Sequence, residues 1–311
     1  MTPYTVIGGY LGAGKSTLIG HLLEHPEGQR LGLLINDFGA INIDAALISN
    51  ANHNTVELTN GCICCSLSDG FDEALSSLLN FNPRPDHVLV EASGVADVKT
   101  LAQYGHHPGL SLSGVIVVID SETIRQQAED RYVGNTVLRH LQAADLIVAN
   151  KQDLISEQER RNLGVWLNEK SPQSLVWPSM QAALPIEIAL GIESTAKQQS
   201  LTTLDHASLE IDPAHPTFAR WTWETPCAVT RESLARFLEH LPPSVIRLKG
   251  LIDSDQGVLE VQVVGARRTL RKRSEIQRKG QQLVAIGLNH HLDTESLNQL
   301  AIDWLSSITQ T

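Results

Sequence analysis

Five short stretches of this 311-residue chain combine residue types that do chemistry at spacings that suit it. Within Gly8-Gly9-Tyr10-Leu11-Gly12-Ala13-Gly14-Lys15-Ser16-Thr17, a Gly-x4-Gly-Lys-Ser pattern begins at Gly9. Glycines let a backbone curl until successive N–H groups point at phosphate oxygens. The amino end of a following helix adds partial positive charge, a lysine neutralises the β and γ oxygens, and a serine hydroxyl reaches Mg2+. The stretch predicts a nucleoside triphosphate site made by Gly9, Gly12, Ala13, Gly14, Lys15, Ser16 and Thr17, with an ordinary glycine-rich turn as the alternative. Asn150-Lys151-Gln152-Asp153 speaks to the base, because an aspartate there can accept two hydrogen bonds from N1–H and the 2-amino group of guanine. Adenine has no such donor pair and would leave the carboxylate unpaired. GTP is therefore the expected nucleotide, with Asn150, Lys151 and Asp153 as its base-side residues.

Two acidic stretches and a thiol cluster complete the inventory. Glu91 ends the run Val88-Leu89-Val90 and precedes Ser93-Gly94, where a second Mg2+ oxygen ligand beside Ser16 and an amide facing the γ-phosphate are expected. Lys15, Glu91 and Gly94 are thus the candidate catalytic groups. Asp37 and Asp44 flank Asn36-Asp37-Phe38-Gly39, a switch-like loop; Asp37 is carried as a metal ligand, with a turn cap competing, and Asp120 reads as a cap. In Gly61-Cys62-Ile63-Cys64-Cys65 three thiols are too close to pair with one another, but they can converge as thiolates on one metal ion. Three thiolates favour Zn2+, with Co2+ and Ni2+ fitting by ligand type; small buried packing residues are the alternative.

These residues need a scaffold that brings them together. Aliphatic runs at Tyr4 to Ile7, Leu31 to Ile35, Val88 to Glu91, Val115 to Asp120, Leu146 to Ala149 and Leu175 to Trp177 lack in/out alternation, so they read as strands buried on both faces. Helical periodicity between them, as at Leu18, Leu22 and Leu23 or Leu75, Leu78 and Leu79, makes the first domain α/β with a mostly parallel sheet. A polar stretch from Glu193 to Pro216 suggests a boundary near 205 to 215, dividing the chain into domains over about 1–200 and 201–311. Beyond it come a strand at Phe218 to Trp223, a helix carrying Leu234, Phe237, Leu238 and Leu241, three strand-like runs (Val245 to Ile252, Val258 to Val264, Leu283 to Leu288) and a closing amphipathic helix. That order describes a small α+β domain.

Composition narrows the function classes. The 42% hydrophobic and 19% charged residues suit a globular protein, and no run approaches the length a membrane helix needs, so a cytoplasmic protein is expected. The net charge of −11 argues against nucleic acid or an anionic membrane as partner. Residues 1–200 carry a net −10 and residues 201–311 a net −1, so the two halves differ in character. Arg267, Arg268, Arg271, Lys272, Arg273, Arg278 and Lys279 form one basic cluster, read as a solvated face with docking on an acidic client as the alternative. His106-His107 and His290-His291 are adjacent pairs whose side chains diverge, and Cys227 reads as packing.

Together, GGYLGAGKST at 8 to 17, INDFGAINID at 35 to 44, ELTNGCICC at 57 to 65, EASG at 91 to 94, NKQDL at 150 to 154 and RLKG at 247 to 250 resemble the CobW family of metal-handling P-loop GTPases. These are relatives of the GTPases that insert nickel during urease and hydrogenase maturation. The resemblance implies a GTPase domain, a smaller C-terminal domain, and Zn2+ or another transition metal at Cys62, Cys64 and Cys65. It departs from the family at Asp37, where members carry Glu, and at Ala96-Asp97-Val98, where a proline is usual. It also lacks a His-rich linker, offering only His206 and His215. The leading expectation is a slow GTP-hydrolysing metallochaperone that passes its ion to a client metalloprotein, with a homodimer left open. A GTP-binding metal or redox sensor without significant turnover is the alternative; a small-molecule kinase ranks below both.

Overall fold

The computed structural model describes residues 1–26, 28–36, 55–58, 69–191, 218–225, 228–273, 281–288 and 292–309. Asp37, Asp44, Cys62, Cys64, Cys65, Cys227, His206, His215, His290, His291, Arg278 and Lys279 lie outside these residues. Two compact units are present, Met1–His215 and Pro216–Thr311.

The first unit is built on seven strands: β1 (Thr2–Gly8), β2 (Leu31–Asn36), β3 (Thr55–Leu58), β4 (His87–Glu91), β5 (Leu110–Asp120), β6 (Leu146–Asn150) and β7 (Leu175–Pro178). Their order is β3-β2-β4-β1-β5-β6-β7, and every pairing is parallel. Residues of β4, β5 and β6 are buried along their whole lengths, which is why 88–90, 115–119 and 146–149 read as continuous apolar runs rather than alternating ones. The helix Lys15–Glu24 presses Leu18, Ile19 and Leu22 into the core, at roughly 1.5–3 kcal/mol for each side chain fully removed from water. That burial fixes the helix whose amino end the phosphate loop must meet.

Two strands depart from the sequence expectation. β3 is unanticipated: Thr55-Val56-Glu57-Leu58 is four residues long and lies on the sheet edge beside β2, too short for periodicity to register. β5 begins five residues earlier than expected, at Leu110, with a register shift opposite Tyr4 and Thr5. Because the sheet is parallel, the chain leaves β1, β2, β3, β4 and β6 at one carboxyl edge, the edge at which such sheets bind ligands.

The second unit is an antiparallel sheet of β8 (Phe218–Glu224), β9 (Arg247–Ser254), β10 (Gly257–Val264), β11 (Arg267–Lys272) and β12 (Gln282–Leu288), in the order β11-β10-β9-β12-β8. Helices Arg231–Glu239 and Thr294–Thr309 meet through Phe237 and Trp304, whose rings stack 4.6 Å apart. Of the basic run, Arg267, Arg268, Arg271 and Lys272 lie on the edge strand β11, none of them buried, and Arg273 follows it. Arg267 and Arg271 are half-buried, Arg268 Nε donates to Leu238 O at 2.7 Å, and Arg273 pairs with Glu260 at 2.8 Å. Charged side chains on an edge strand oppose pairing with a foreign strand, a reason for arginines here that needs no ligand. Among the described residues, no helix is long and apolar enough to cross a membrane.

Candidate nucleotide site

Residues 9–14 form a loop between β1 and the helix that starts at Lys15. Its glycines are there for backbone reasons. Gly9 and Gly14 adopt φ of 134° and 108°, and a Cβ at Gly9 would stand 2.1 Å from Val118 O. Gly14 occupies the N-cap position without any side chain to satisfy the first amides of the helix, leaving them available to an anion. Ala13 is buried, Gly12 and Thr17 are exposed, and Lys15 is 8% exposed with its Nζ 3.4 Å from Tyr10 O across the loop.

At the phosphate end, Ser16 Oγ donates to Glu91 Oε1 at 3.1 Å. Glu91, 5% exposed, stands at the end of β4 beside β1. Two neutral or anionic oxygen donors converging here match what a hard cation such as Mg2+ takes. Gly94 lies directly against the loop, since a Cβ there would be 2.8 Å from the Leu11 side chain and 2.9 Å from Leu11 N. Asp97 caps the helix Val98–Gln103, accepting from Lys99 N at 2.9 Å and Thr100 N at 3.4 Å, and the helix opens on Val98, where the resemblance leads one to expect a proline. Val98 is fully buried, and a Cβ on Gly8 would lie 2.6 Å from its Cγ2, so glycine is what allows that approach.

The base-side residues are tightly bound to their surroundings. Asn150 ends β6, donates from Nδ2 to Ala13 O at 2.9 Å, and accepts from Ala182 N at 2.7 Å. Lys151 is in the left-handed region (φ 60°), and its Nζ pairs with Asp120 Oδ2 at 2.7 Å. Asp120 also accepts from Glu122 N at 3.0 Å, so it is both the expected cap and the partner of Lys151. Gln152 donates to Ser121 Oγ at 2.8 Å, and Arg160 donates to Gln152 O from Nε at 3.1 Å and from a terminal nitrogen at 2.8 Å. Asp153 is exposed.

Sequence reasoning missed the loop after β7. Ser179-Met180-Gln181-Ala182 is held by Asn150 and by Gln152 N, which donates to Ser179 O at 3.1 Å; Gln181 and Ala182 take φ of 51° and 55°. Two consecutive non-glycine residues with positive φ, next to the NKQD loop, are local strain of the kind that collects at ligand sites. The one sequence signal is the position itself, at the carboxyl end of β7.

Cys62, Cys64 and Cys65, expected from the sequence to bind a transition metal, lie outside the described residues. Among the described residues, no group of three or more His, Cys, Asp and Glu side chains could hold a metal ion. His107 Nδ1 donates to Pro108 O at 2.9 Å and His106 is exposed. What the structure does give is the exits: Asp37 follows β2 directly, and Cys62 comes four residues after β3.

A Gly-x4-Gly-Lys-Ser loop that joins the central strand of a parallel sheet to a helix, with a strand-end glutamate on its serine, defines a P-loop nucleotide-binding protein. Comparison with known proteins narrows the class. The nucleotide-binding domain of the CobW/HypB/UreG family matches residues 3–176, and the cobalamin synthesis protein cobW C-terminal domain matches residues 218–301. A zinc chaperone CobW from Sinorhizobium sp is 32% identical, the alignment covering 94% of each chain. The zinc chaperone YjiA of Escherichia coli K12 is 33% identical over 50% of this chain and 51% of its own. A crystal structure of Zn(II)-bound YjiA GTPase aligns over 97% of this chain and 98% of that one, at 19% identity and a TM-score of 0.46. The chain belongs to the CobW family of P-loop GTPases.

Proposed function

We propose that this protein binds GTP, hydrolyses it to GDP and phosphate, and uses the cycle to pass a divalent transition metal, zinc first, from Cys62, Cys64 and Cys65 to a client metalloprotein. The observation that carries the reading is that one sheet edge gathers the phosphate loop after β1, Glu91 at the end of β4, and the exits of β2 toward Asp37 and of β3 toward the cysteines. Four extended residues span at most about 14 Å, so Cys62 starts within that distance of the end of β3. A change at the γ-phosphate and a change at the thiols are then neighbouring events. The relatives named zinc chaperones support zinc as the cargo.

The chain's own groups divide the work. Amides of residues 9–14 and the amino end of helix Lys15–Glu24 take the phosphates, Lys15 neutralises the β and γ oxygens, and Asp153 selects guanine. Ser16 and Glu91 would hold Mg2+, which when bound neutralises phosphate oxygens. Gly94, pressed on Leu11, offers an amide on the γ side. Lys15, Glu91 and Gly94 are thereby the catalytic set, and Gly9, Gly12, Ala13, Gly14, Ser16, Thr17, Asn150 and Lys151 the binding set. Asp37 is one residue past β2 and is carried as a further metal ligand.

The test is metal content and GTP turnover in wild type, Cys64→Ser and Cys65→Ser. The variants should lose bound zinc and any zinc-stimulated turnover while keeping GTP affinity. Equal metal content in all three would overturn the thiolate site. Turnover indifferent to Zn2+, Co2+ and Ni2+ would make the protein a sensor and not a transfer device.

A further inference from the structure

We propose that His140 is a positioning residue for the phosphate-facing loop: its Nε2–H, donated to Ala96 O, fixes the far end of residues 92–97 so that the Gly94 amide stays on the γ side of the site. The inference rests on the nucleotide reading above and adds to it a residue from a different helix, Gly134–Ala143.

Among the described residues the loop has few anchors. At its start, Ala92 N donates to Ile7 O at 2.8 Å, tying it to β1. At its end, Asp97 caps the next helix. Between them Gly94 and the 41%-exposed Val95 arch over Leu11, with an internal bond from Ala96 N to Ser93 O at 3.0 Å. His140 is 3% exposed, and its Nε2 lies 2.8 Å from Ala96 O. A carbonyl oxygen can only accept, so Nε2 must carry the proton, and neutral His140 is the Nε2–H tautomer. Nδ1 is then a bare acceptor, buried, with no hydrogen-bond partner among the described residues, and the same holds for the Ser93 hydroxyl at the other side of the arch.

Burial pushes the His140 pKa down; the bond to Ala96 O opposes that shift, Lys15 reinforces it, Asp97 opposes it, and Arg139 reinforces it. The neutral donor is thus the form present at physiological pH. Buried polar atoms without partners are rare and mark stored strain, a bound water or a group awaiting a ligand. Here both flank the backbone that must meet the γ-phosphate.

The test compares the full chain as wild type, His140→Gln and His140→Leu, reading GTP turnover and the affinities for GDP and for a non-hydrolysable GTP analogue. Gln keeps an Nε2–H donor of similar reach and does not titrate; Leu keeps the volume and has no donor. His140→Leu should lower kcat by about 10- to 100-fold, the cost of misplacing a group at the reacting centre. It should also weaken the analogue while leaving GDP affinity unchanged, and His140→Gln should restore both. Wild-type turnover and analogue affinity in His140→Leu would overturn the inference. Parallel loss of GDP and analogue affinity would also overturn it, since His140 would then be a packing residue only. Should His140→Leu not fold, a His140→Gln variant with a wild-type preference for analogue over GDP supports the inference, and one without it overturns it. A wild type that binds GTP without turnover sinks the hydrolytic reading alone, because the analogue-to-GDP ratio in the variants still decides the role of His140.

Discussion

The two ends of the nucleotide site are built differently. On the base side, every residue from Asn150 to Gln152 is bonded to a neighbouring loop or helix, and Arg160 clamps the Gln152 carbonyl from outside. On the phosphate side, the arch of residues 92–97 has one side-chain anchor from another helix, His140, and leaves the Ser93 hydroxyl and His140 Nδ1 without partners among the described residues. A base pocket gains selectivity from being pre-formed, because little order must be imposed when the base arrives. A loop that must distinguish GTP from GDP needs two arrangements of similar free energy, and sparse anchoring is how a fold supplies them. Among the described residues, the segment 150–152 thus has more side-chain bonds to its surroundings than the arch 92–97.

That contrast can be broken by substitution. Lys15→Ala removes the cation at the phosphates and should reduce GTP turnover by about 1000-fold, within the range for losing a group that stabilises transition-state charge. Single-turnover kinetics would show it, with the base side still selecting guanine. Asp153→Asn exchanges an acceptor pair for one acceptor and one donor. GTP affinity should fall by about 100-fold, as two charge-assisted hydrogen bonds are lost, and xanthosine triphosphate should become the better ligand. Competition binding checks this, and an unchanged preference for GTP would remove Asp153 from the base site. Arg160→Ala should weaken GTP and GDP equally, by about fivefold at roughly 1 kcal/mol for a lost hydrogen bond, without altering kcat. A selective effect on GTP would mean that the two ends are mechanically coupled.

The smallest expected effect is on stability. Burial holds the His140 pKa below its ordinary 6.5. As pH falls through that ordinary value the unfolded chain takes up a proton that the folded chain refuses, so stability declines, and the decline ends once pH is below the lowered folded value. Denaturant unfolding of wild type at pH 7.5 and at a pH below the His140 pKa should therefore show a greater acid loss than His140→Gln, which has nothing to titrate there. Equal losses would mean that His140 is not buried in its neutral form.

Much of this scaffold is legible in the sequence for physical reasons that also explain what is not. Strands covered on both faces must be apolar throughout, so Val88 to Val90 and Leu146 to Ala149 announce themselves; the Gly-x4-Gly-Lys-Ser loop does so because its backbone geometry excludes side chains. β3 has only four residues, and β11, Arg267-Arg268-Thr269-Leu270-Arg271-Lys272, has a single apolar one because an edge strand is protected by charge. The Ser179–Ala182 loop owes its place to Asn150, 32 residues away, a contact no local pattern encodes. His140 left a fainter trace, as a polar residue at the buried 3 and 4 spacing of Val137, His140 and Leu141. Such a position asks for a partner, and only the structure supplies Ala96.

In the proposed cycle the phosphate end of the site and the cysteine motif act on one another. It is tested most directly by loading the protein with zinc and following its release to a metallochromic chelator in GTP, in GDP and in a non-hydrolysable GTP analogue. Release that keeps pace with phosphate production in GTP, is slow with the analogue and GDP, and disappears with the metal in Cys64→Ser is the predicted result. Zinc release at one rate in all three nucleotides would contradict the account.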